Sequence, residues 1–175
     1  IFSLVYGDDG FLYAGDGDFN LRKIDPSTMT QVDNFTGHSN DVFGLAYGDD
    51  GLLYSGSRDN TTKKINPVGM SEIDSAVLVS DWITGVAQKG DFIYVHARDA
   101  SVRKVATSDL SQVDSFSGTD EFRAMHISNS DGYLYVGGDD NLVRRIDRTD
   151  MSQVGSSFSG HTDSVLSITQ TKALG

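Results

Sequence analysis

Three residue columns recur in step along the chain. Tyr13, Tyr54, Tyr94 and Tyr135 form the first, Asp18, Asp59, Asp99 and Asp140 the second, and Met29, Met70, Leu110 and Met151 the third. Each column is spaced by 41, 40 and 41 residues. Three columns holding one register define an internal repeat, and a repeat of this length means one supersecondary unit stacked on copies of itself. The spacing divides the chain into units at 1–41, 42–82, 83–121 and 122–164, with 165–175 opening a fifth.

Within a unit the pattern predicts four short strands, a to d. In the second unit these are Val42 to Tyr47, Leu52 to Ser57, Thr61 to Ile65, and Met70 to Val77. The turns between them are Gly48-Asp49-Asp50-Gly51, Arg58-Asp59-Asn60 and Asn66-Pro67-Val68-Gly69. Turn clusters every 8 to 12 residues between β-rich runs signal an all-β sandwich, barrel or propeller. Strand b decides among these. Phe11-Leu12-Tyr13, Leu52-Leu53-Tyr54, Phe92-Ile93-Tyr94 and Tyr133-Leu134-Tyr135 are apolar at consecutive positions, so both faces of the sheet are covered. A four-stranded antiparallel sheet stacked between two like itself is a propeller blade.

The order of Gly37-His38, Asp50-Gly51, Ser55-Gly56, Asp59 and Ile65-Asn66, with Gly160-His161 and Gly118-Thr119 at later junctions, resembles the WD-repeat family. The departures are Ile24, Ile65, Val105 and Ile146 where the family has Trp, and Leu78-Val79 in place of Gly-His. Leu134-Tyr135-Val136-Gly137-Gly138 followed by Arg145-Ile146-Asp147 also resembles quinoprotein-type propeller repeats. No cofactor carries over, because neither the aromatic stacking nor the metal cage of a quinone site is present. The WD resemblance implies a structural network of His38, Ser55 and Asp59, and a non-catalytic platform for protein partners. It also implies a partner surface at the end of the propeller that gathers the b–c and d–a loops.

Composition narrows the function classes. The formal net charge is -11, which argues against a nucleic-acid backbone as partner. The longest apolar runs are strand-sized, so no membrane insertion is expected. There are no cysteines, which leaves the redox compartment open. The acidity comes from 23 Asp against 2 Glu. Turn chemistry accounts for it, and adaptation to high salt is the other reading. Cytoplasm and a saline exterior both suit such a chain. A surface or virion module is thus the second functional class, and a propeller enzyme or small-ligand binder the third.

The candidate partner-binding residues are Trp82, His38, Arg58, Arg98, Asp120, Glu121 and His161. Trp82 is the only Trp and aligns with the polar Asp41. It reads equally as a binding hot spot and as a filler where Gly-His is missing. Asp16-Gly17-Asp18-Phe19-Asn20 mimics the start of a calcium loop but lacks the glycine and distal Glu such a loop needs, so it reads as an ordinary turn; no metal or catalytic residue is assigned. Every strand c carries a basic pair, Arg22-Lys23, Lys63-Lys64, Arg103-Lys104 and Arg144-Arg145. Cross-strand ion pairs with Asp33, Asp74 and Asp114 are expected for them. Finally, Val165-Leu166-Ser167-Ile168 matches Val42-Phe43-Gly44-Leu45. A lone strand a predicts that these residues do not close a ring: either the natural chain continues, or copies complete the ring by self-association.

Overall fold

The computed structural model describes residues 1–169. Fifteen strands and no helix occur among them, so none of the described residues forms a helix able to cross a membrane. The first sheet contains β1 (Ser3–Tyr6), β2 (Leu12–Gly15), β3 (Leu21–Asp25) and β4 (Thr30–Phe35). The second contains β5 (Val42–Tyr47), β6 (Leu53–Ser57), β7 (Thr61–Asn66) and β8 (Ser71–Val77). The third contains β9 (Ile83–Lys89), β10 (Phe92–Ala97), β11 (Ser101–Ala106) and β12 (Gln112–Ser117). The fourth contains β13 (Phe122–Ile127), β14 (Leu134–Gly138) and β15 (Val143–Ile146). Every sheet is an antiparallel meander in chain order. These are four propeller blades, with a partial fifth beginning at Val165.

The three sequence columns acquire physical meanings here. The Tyr column closes the a–b turns. Tyr13, Tyr54 and Tyr135 donate their hydroxyls to Asp9, Asp50 and Asp131, each four residues earlier, at 2.6, 2.6 and 2.7 Å. Gly51, at φ 77, sits at the left-handed corner of such a turn, where a side chain is strained. The Met column is left-handed too: Met29, Met70, Leu110 and Met151 have φ of 54, 43, 52 and 53. A non-glycine residue there costs about 1–2 kcal/mol. Burial offsets it. Met70, Leu110 and Met151 each enter the apolar cluster between their own blade and the one before.

Those three clusters form the core. Tyr13, Leu21 and Phe35 of blade 1 meet Val42, Leu53, Ile65 and Met70 of blade 2. Tyr54 and Val79 meet Ile83, Ile93, Val105 and Leu110. Tyr94 and Val102 meet Phe122, Leu134, Ile146 and Met151. Nearest the axis the backbones touch: a Cβ on Gly44 would lie 2.8 Å from the Gly85 carbonyl carbon.

Three expectations need correction. Asp33, Asp74 and Asp114 are not the ion partners of the strand c cations. Lys23, Lys64 and Lys104 stand opposite Asp33, Asp74 and Asp114 in register, yet their ammonium groups reach past their own sheet. They donate to c–d turn carbonyls of the next blade: Lys23 to Pro67 at 3.0 Å, Lys64 to Thr107 at 2.5 Å, and Lys104 to Arg148 and Thr149. Meanwhile each Asp accepts the N–H of the residue after it. A side chain long enough to reach an unpaired buried carbonyl satisfies it, whereas the acids lie on the solvated outer strand.

The fourth blade also lacks a continuous strand d. Only the bridges Val143↔Phe158 and Ile146↔Gln153 form. This blade has one residue more between Met151 and Gly160 than the first has between Met29 and Gly37, and Gly155 at φ 74 turns the backbone out of register. The fifth-unit segment is likewise not a hydrogen-bonded strand over 165–169, and its residues 170–175 lie outside the described ones. Val165 does occupy a strand a position. Its N–H bonds Gly138 O at 3.0 Å, as Val42 N–H bonds Asp16 O at 3.1 Å, and its side chain covers Gly137 as Val42 covers Gly15.

Candidate functional site

The b–c and d–a loops converge at one end of the blades, and each b–c turn is built around an aspartate. In blade 2, Asp59 accepts the N–H groups of Thr61 and Ser39, both at 2.9 Å, and the Thr61 hydroxyl at 2.6 Å. His38 Nδ1 lies 2.9 Å from Asp59, and His38 Nε2 lies 2.7 Å from Ser55 Oγ. With the carboxylate accepting from Nδ1–H, Nε2 accepts the Ser55 hydroxyl. Burial pushes the Asp59 carboxyl up, but these donors outweigh it and hold it well below the usual carboxylate range.

Blades without the histidine solve the same problem with arginine. Arg103 pairs with Asp99 at 3.1 Å, Arg144 with Asp140 at 2.5 Å, and Arg22 with Asp16 at 2.6 Å. Lys63 occupies the aligned position in blade 2. Freed from this task by His38, it pairs with Glu72 at 2.8 Å. The apparent calcium loop is consumed in this way: Asp16 accepts the N–H groups of Asp18 and Asn20 as well as Arg22.

The Ser55–His38–Asp59 distances match those of a hydrolytic triad, so exposure matters. Ser55 is fully buried in the middle of its sheet, and the His38 side chain is buried too. His38 therefore shapes a loop from within and presents nothing to a partner. Ser55→Ala is expected to destabilise by about 1–3 kcal/mol, since it leaves His38 Nε2 buried without a donor. Urea unfolding measures that cost. Labelling of Ser55 in the native chain by a fluorophosphonate probe would contradict the structural role.

The remaining candidates gather at the mouth of the central axis. Asp41, Trp82 and Glu121 occupy one aligned loop position, each accepting through its carbonyl an N–H from the following b–c turn: Arg58, Arg98 and Asp139, at 2.9, 2.9 and 3.0 Å. Two guanidinium groups lie over the half-buried Trp82 indole, Arg58 at 3.6 Å and Arg98 at 4.4 Å from the ring centroid. Phe43 stacks on it at 6.5 Å, and Phe2 lies 4.6 Å beyond Phe43. An alternating charge chain runs beside the rings. Arg58 pairs with Asp41 at 3.5 Å, Arg98 and Arg123 with Glu121 at 2.9 and 3.1 Å, and Arg123 with Asp139 at 2.9 Å. The Arg98 Nε and Glu121 Oε1 atoms are buried and close, but no hydrogen bond of good angle joins them.

Asp120 is exposed, and its carboxylate caps the Glu121 N–H at 2.9 Å. His161 lies on the outer loop of blade 4, edge-on to Phe158 at 5.5 Å. Sequence reading missed Phe43, Arg123 and Asp139. Phe43 and Arg123 are the extra residues of β-bulges at the start of strand a, and a bulge re-aims its side chain.

Below this mouth a cleft of about 230 Å³ is lined by Gly44, Gly85, His96, Arg123, Met125 and Ile168 among others. His96 replaces the glycine that stands at 15, 56 and 137 in the other blades. It is buried against Phe122 O at 3.2 Å and Thr84 Oγ1 at 2.9 Å. Burial pushes its imidazole down to about 4, so the unfolded chain takes up this proton first, near 6.5. The stability that neutral His96 contributes is full above pH 6.5 and is lost as pH falls towards 4, by roughly 3 kcal/mol. Urea midpoints at pH 7 and pH 5 should differ more for the wild type than for His96→Gln. Equal differences would show that His96 does not titrate in this way.

Stacked four-stranded antiparallel blades with loops gathered at one end define a propeller scaffold. The family model for the WD40 repeat (WD domain, G-beta repeat) matches residues 29–65, which run from the end of the blade 1 c–d turn through strand c of blade 2. This match and the sheets support a WD-repeat-like β-propeller, and the typical role of WD40 domains is protein interaction. No curated protein matches the chain.

Proposed function

We propose that the chain is a non-catalytic scaffold that binds a protein partner across the mouth formed by Trp82, Arg58, Arg98, Glu121 and Arg123. The observation that carries this reading is the contact of two arginines with the Trp82 indole on a rigid loop frame. Trp and Arg are the residue types most enriched where interfaces concentrate their energy, and loops on a rigid scaffold are where binding is found. The triad-like set is buried beneath the loops, which supports a structural rather than a catalytic role for it.

The test is quantitative affinity capture with the immobilised chain. Proteins retained by the wild type should be lost with both Trp82→Ala and Arg98→Ala, and kept with Val68→Asp, which alters an exposed residue at the opposite end. A partner lost with Val68→Asp and kept with Trp82→Ala would place binding at the wrong end.

A further inference from the structure

The arginines at the mouth are not equally engaged. In each ion pair there the guanidinium belongs to the more exposed side chain. Arg58 is 39% exposed over Asp41 at 18%, and Arg98 and Arg123 are 34% and 37% exposed over Glu121 at 9%. The carboxylates lie beneath and the cations outcrop, in a chain whose formal net charge is -11. Arg123 is committed, because its Nε and Nη2 donate to Asp139 at 2.9 to 3.2 Å. Arg58 and Arg98 are not. Arg58 stands 3.5 Å from Asp41, and the buried Arg98 Nε makes no hydrogen bond of good geometry with Glu121. Among the described residues neither guanidinium completes a hydrogen bond.

Both lie over the Trp82 indole instead. A guanidinium in that position spends its face on the ring and keeps its N–H donors at the edge of its plane. The two distances to the ring centroid also bound the separation of the guanidinium carbons at about 8 Å. Like charges so close repel, and anionic groups received at their edges relieve this. An apolar anchor finds the ring already overlaid by cations, and a basic segment meets those cations first. A nucleic-acid backbone needs a longer cationic stripe than two arginines.

Resting on the partner role given to this mouth above, we propose that it recognises an acidic segment of the protein partner. Arg58 and Arg98 each take one carboxylate, and the Trp82 ring is the platform that holds both arginines in place. Arg–carboxylate pairs are commonly bidentate, which free guanidinium edges permit. Acidic residues two apart on an extended segment point to one side about 7 Å apart, within the span set by the two arginines. Asp41 and Glu121 remain beneath as the internal acids of the pairs. On the Arg123 side, Asp139 and the exposed Asp120 disfavour a further acid.

A random peptide library on phage, panned on the immobilised chain and counter-selected on Trp82→Ala, tests this without a known partner. Peptides that bind the wild type and not the variant should carry Asp or Glu at two positions separated by one residue. A Trp82-dependent pool of neutral, apolar or basic peptides would overturn the acidic assignment and leave the partner role standing. Recovery of no Trp82-dependent peptide would also overturn the acidic assignment, whereas the partner role is decided by the capture experiment above. Trp82 is the only Trp of the chain, so its emission follows the binding of a selected peptide directly. Replacing the two acids of the peptide by their amides should weaken binding at least about tenfold, and Arg58→Gln or Arg98→Gln should weaken the acidic peptide at least about fivefold. Both substitutions should leave the amide peptide unchanged. The acid-to-amide exchange is made in the peptide, so that comparison is independent of any effect on folding. Equal binding of the acidic and amide peptides would overturn the proposal. So would an emission change with a single-stranded oligonucleotide where the acidic peptide gives none.

Discussion

Met70→Ala is expected to lower the unfolding free energy by about 2–5 kcal/mol, the usual range for truncating a buried Met or Leu. The side chain is buried between blades 1 and 2, beside Tyr13, Phe35 and Ile65, and no flexible element is available to fill the space. Val68→Ala, two residues earlier and exposed, should change stability by less than about 0.5 kcal/mol. The left-handed backbone adds a sharper signature. At φ 43 alanine keeps the strain of the native residue without its contacts, while glycine relieves that strain. Met70→Gly should therefore be no less stable than Met70→Ala, the reverse of the ordinary order. Denaturant unfolding of the three variants decides this. A glycine variant clearly weaker than the alanine one would mean that the turn backbone is not what the side chain holds in place.

Trp82→Ala should weaken partner binding by at least about 2 kcal/mol, near 30-fold, and do so mainly through dissociation. Stability should fall less, by about 1–2 kcal/mol, because two cation–π contacts and one aromatic contact are lost at a half-buried site. Arg58→Lys separates charge from shape. An ammonium keeps the pair with Asp41 but cannot lie flat on the indole, so it should weaken binding while leaving the salt dependence alone. Titration calorimetry with a captured partner, beside thermal melts, makes the comparison. A large fall in melting temperature with unchanged affinity would make Trp82 a filler of the gap left by the missing Gly-His.

Much of the fold was legible because its causes are local. The Tyr column marks strand b, and in blades 1, 2 and 4 its tyrosine reaches an aspartate four residues back. In blades 2 to 4 the Asp column marks the b–c turn because an aspartate accepts the N–H two residues on, as Asp59 does from Thr61; in blade 1 Asp16, two positions before the column, does this instead. The predicted β5 matches the observed Val42–Tyr47 at both ends. The fourth strand d was less legible: one extra residue containing Gly155 leaves the composition β-like while its register is lost.

The site was legible only in its parts. Trp82, Arg58, Arg98 and Glu121 could be named from loop positions, but not the two guanidiniums lying over one indole, because those three residues come from three separate loops of neighbouring blades. The cations of strand c were assigned to acids across their own sheet because register is a sequence property. Their true acceptors, carbonyls of the next blade, are a property of stacking. His38 was placed in both the structural network and the partner surface, and burial leaves it only the first.

The sequence by itself thus determined the repeat, the strands and turns within each unit, and the aspartate that organises each loop, since all depend on contacts within about ten residues or on a fixed alternation of faces. Only the tertiary structure decided which residues of different blades meet. Side-chain direction at a bulge, the reach of a lysine across an interface, and the exposure of Met29 but not Met70 depend on whether a neighbouring blade is present. No periodicity within one unit encodes that.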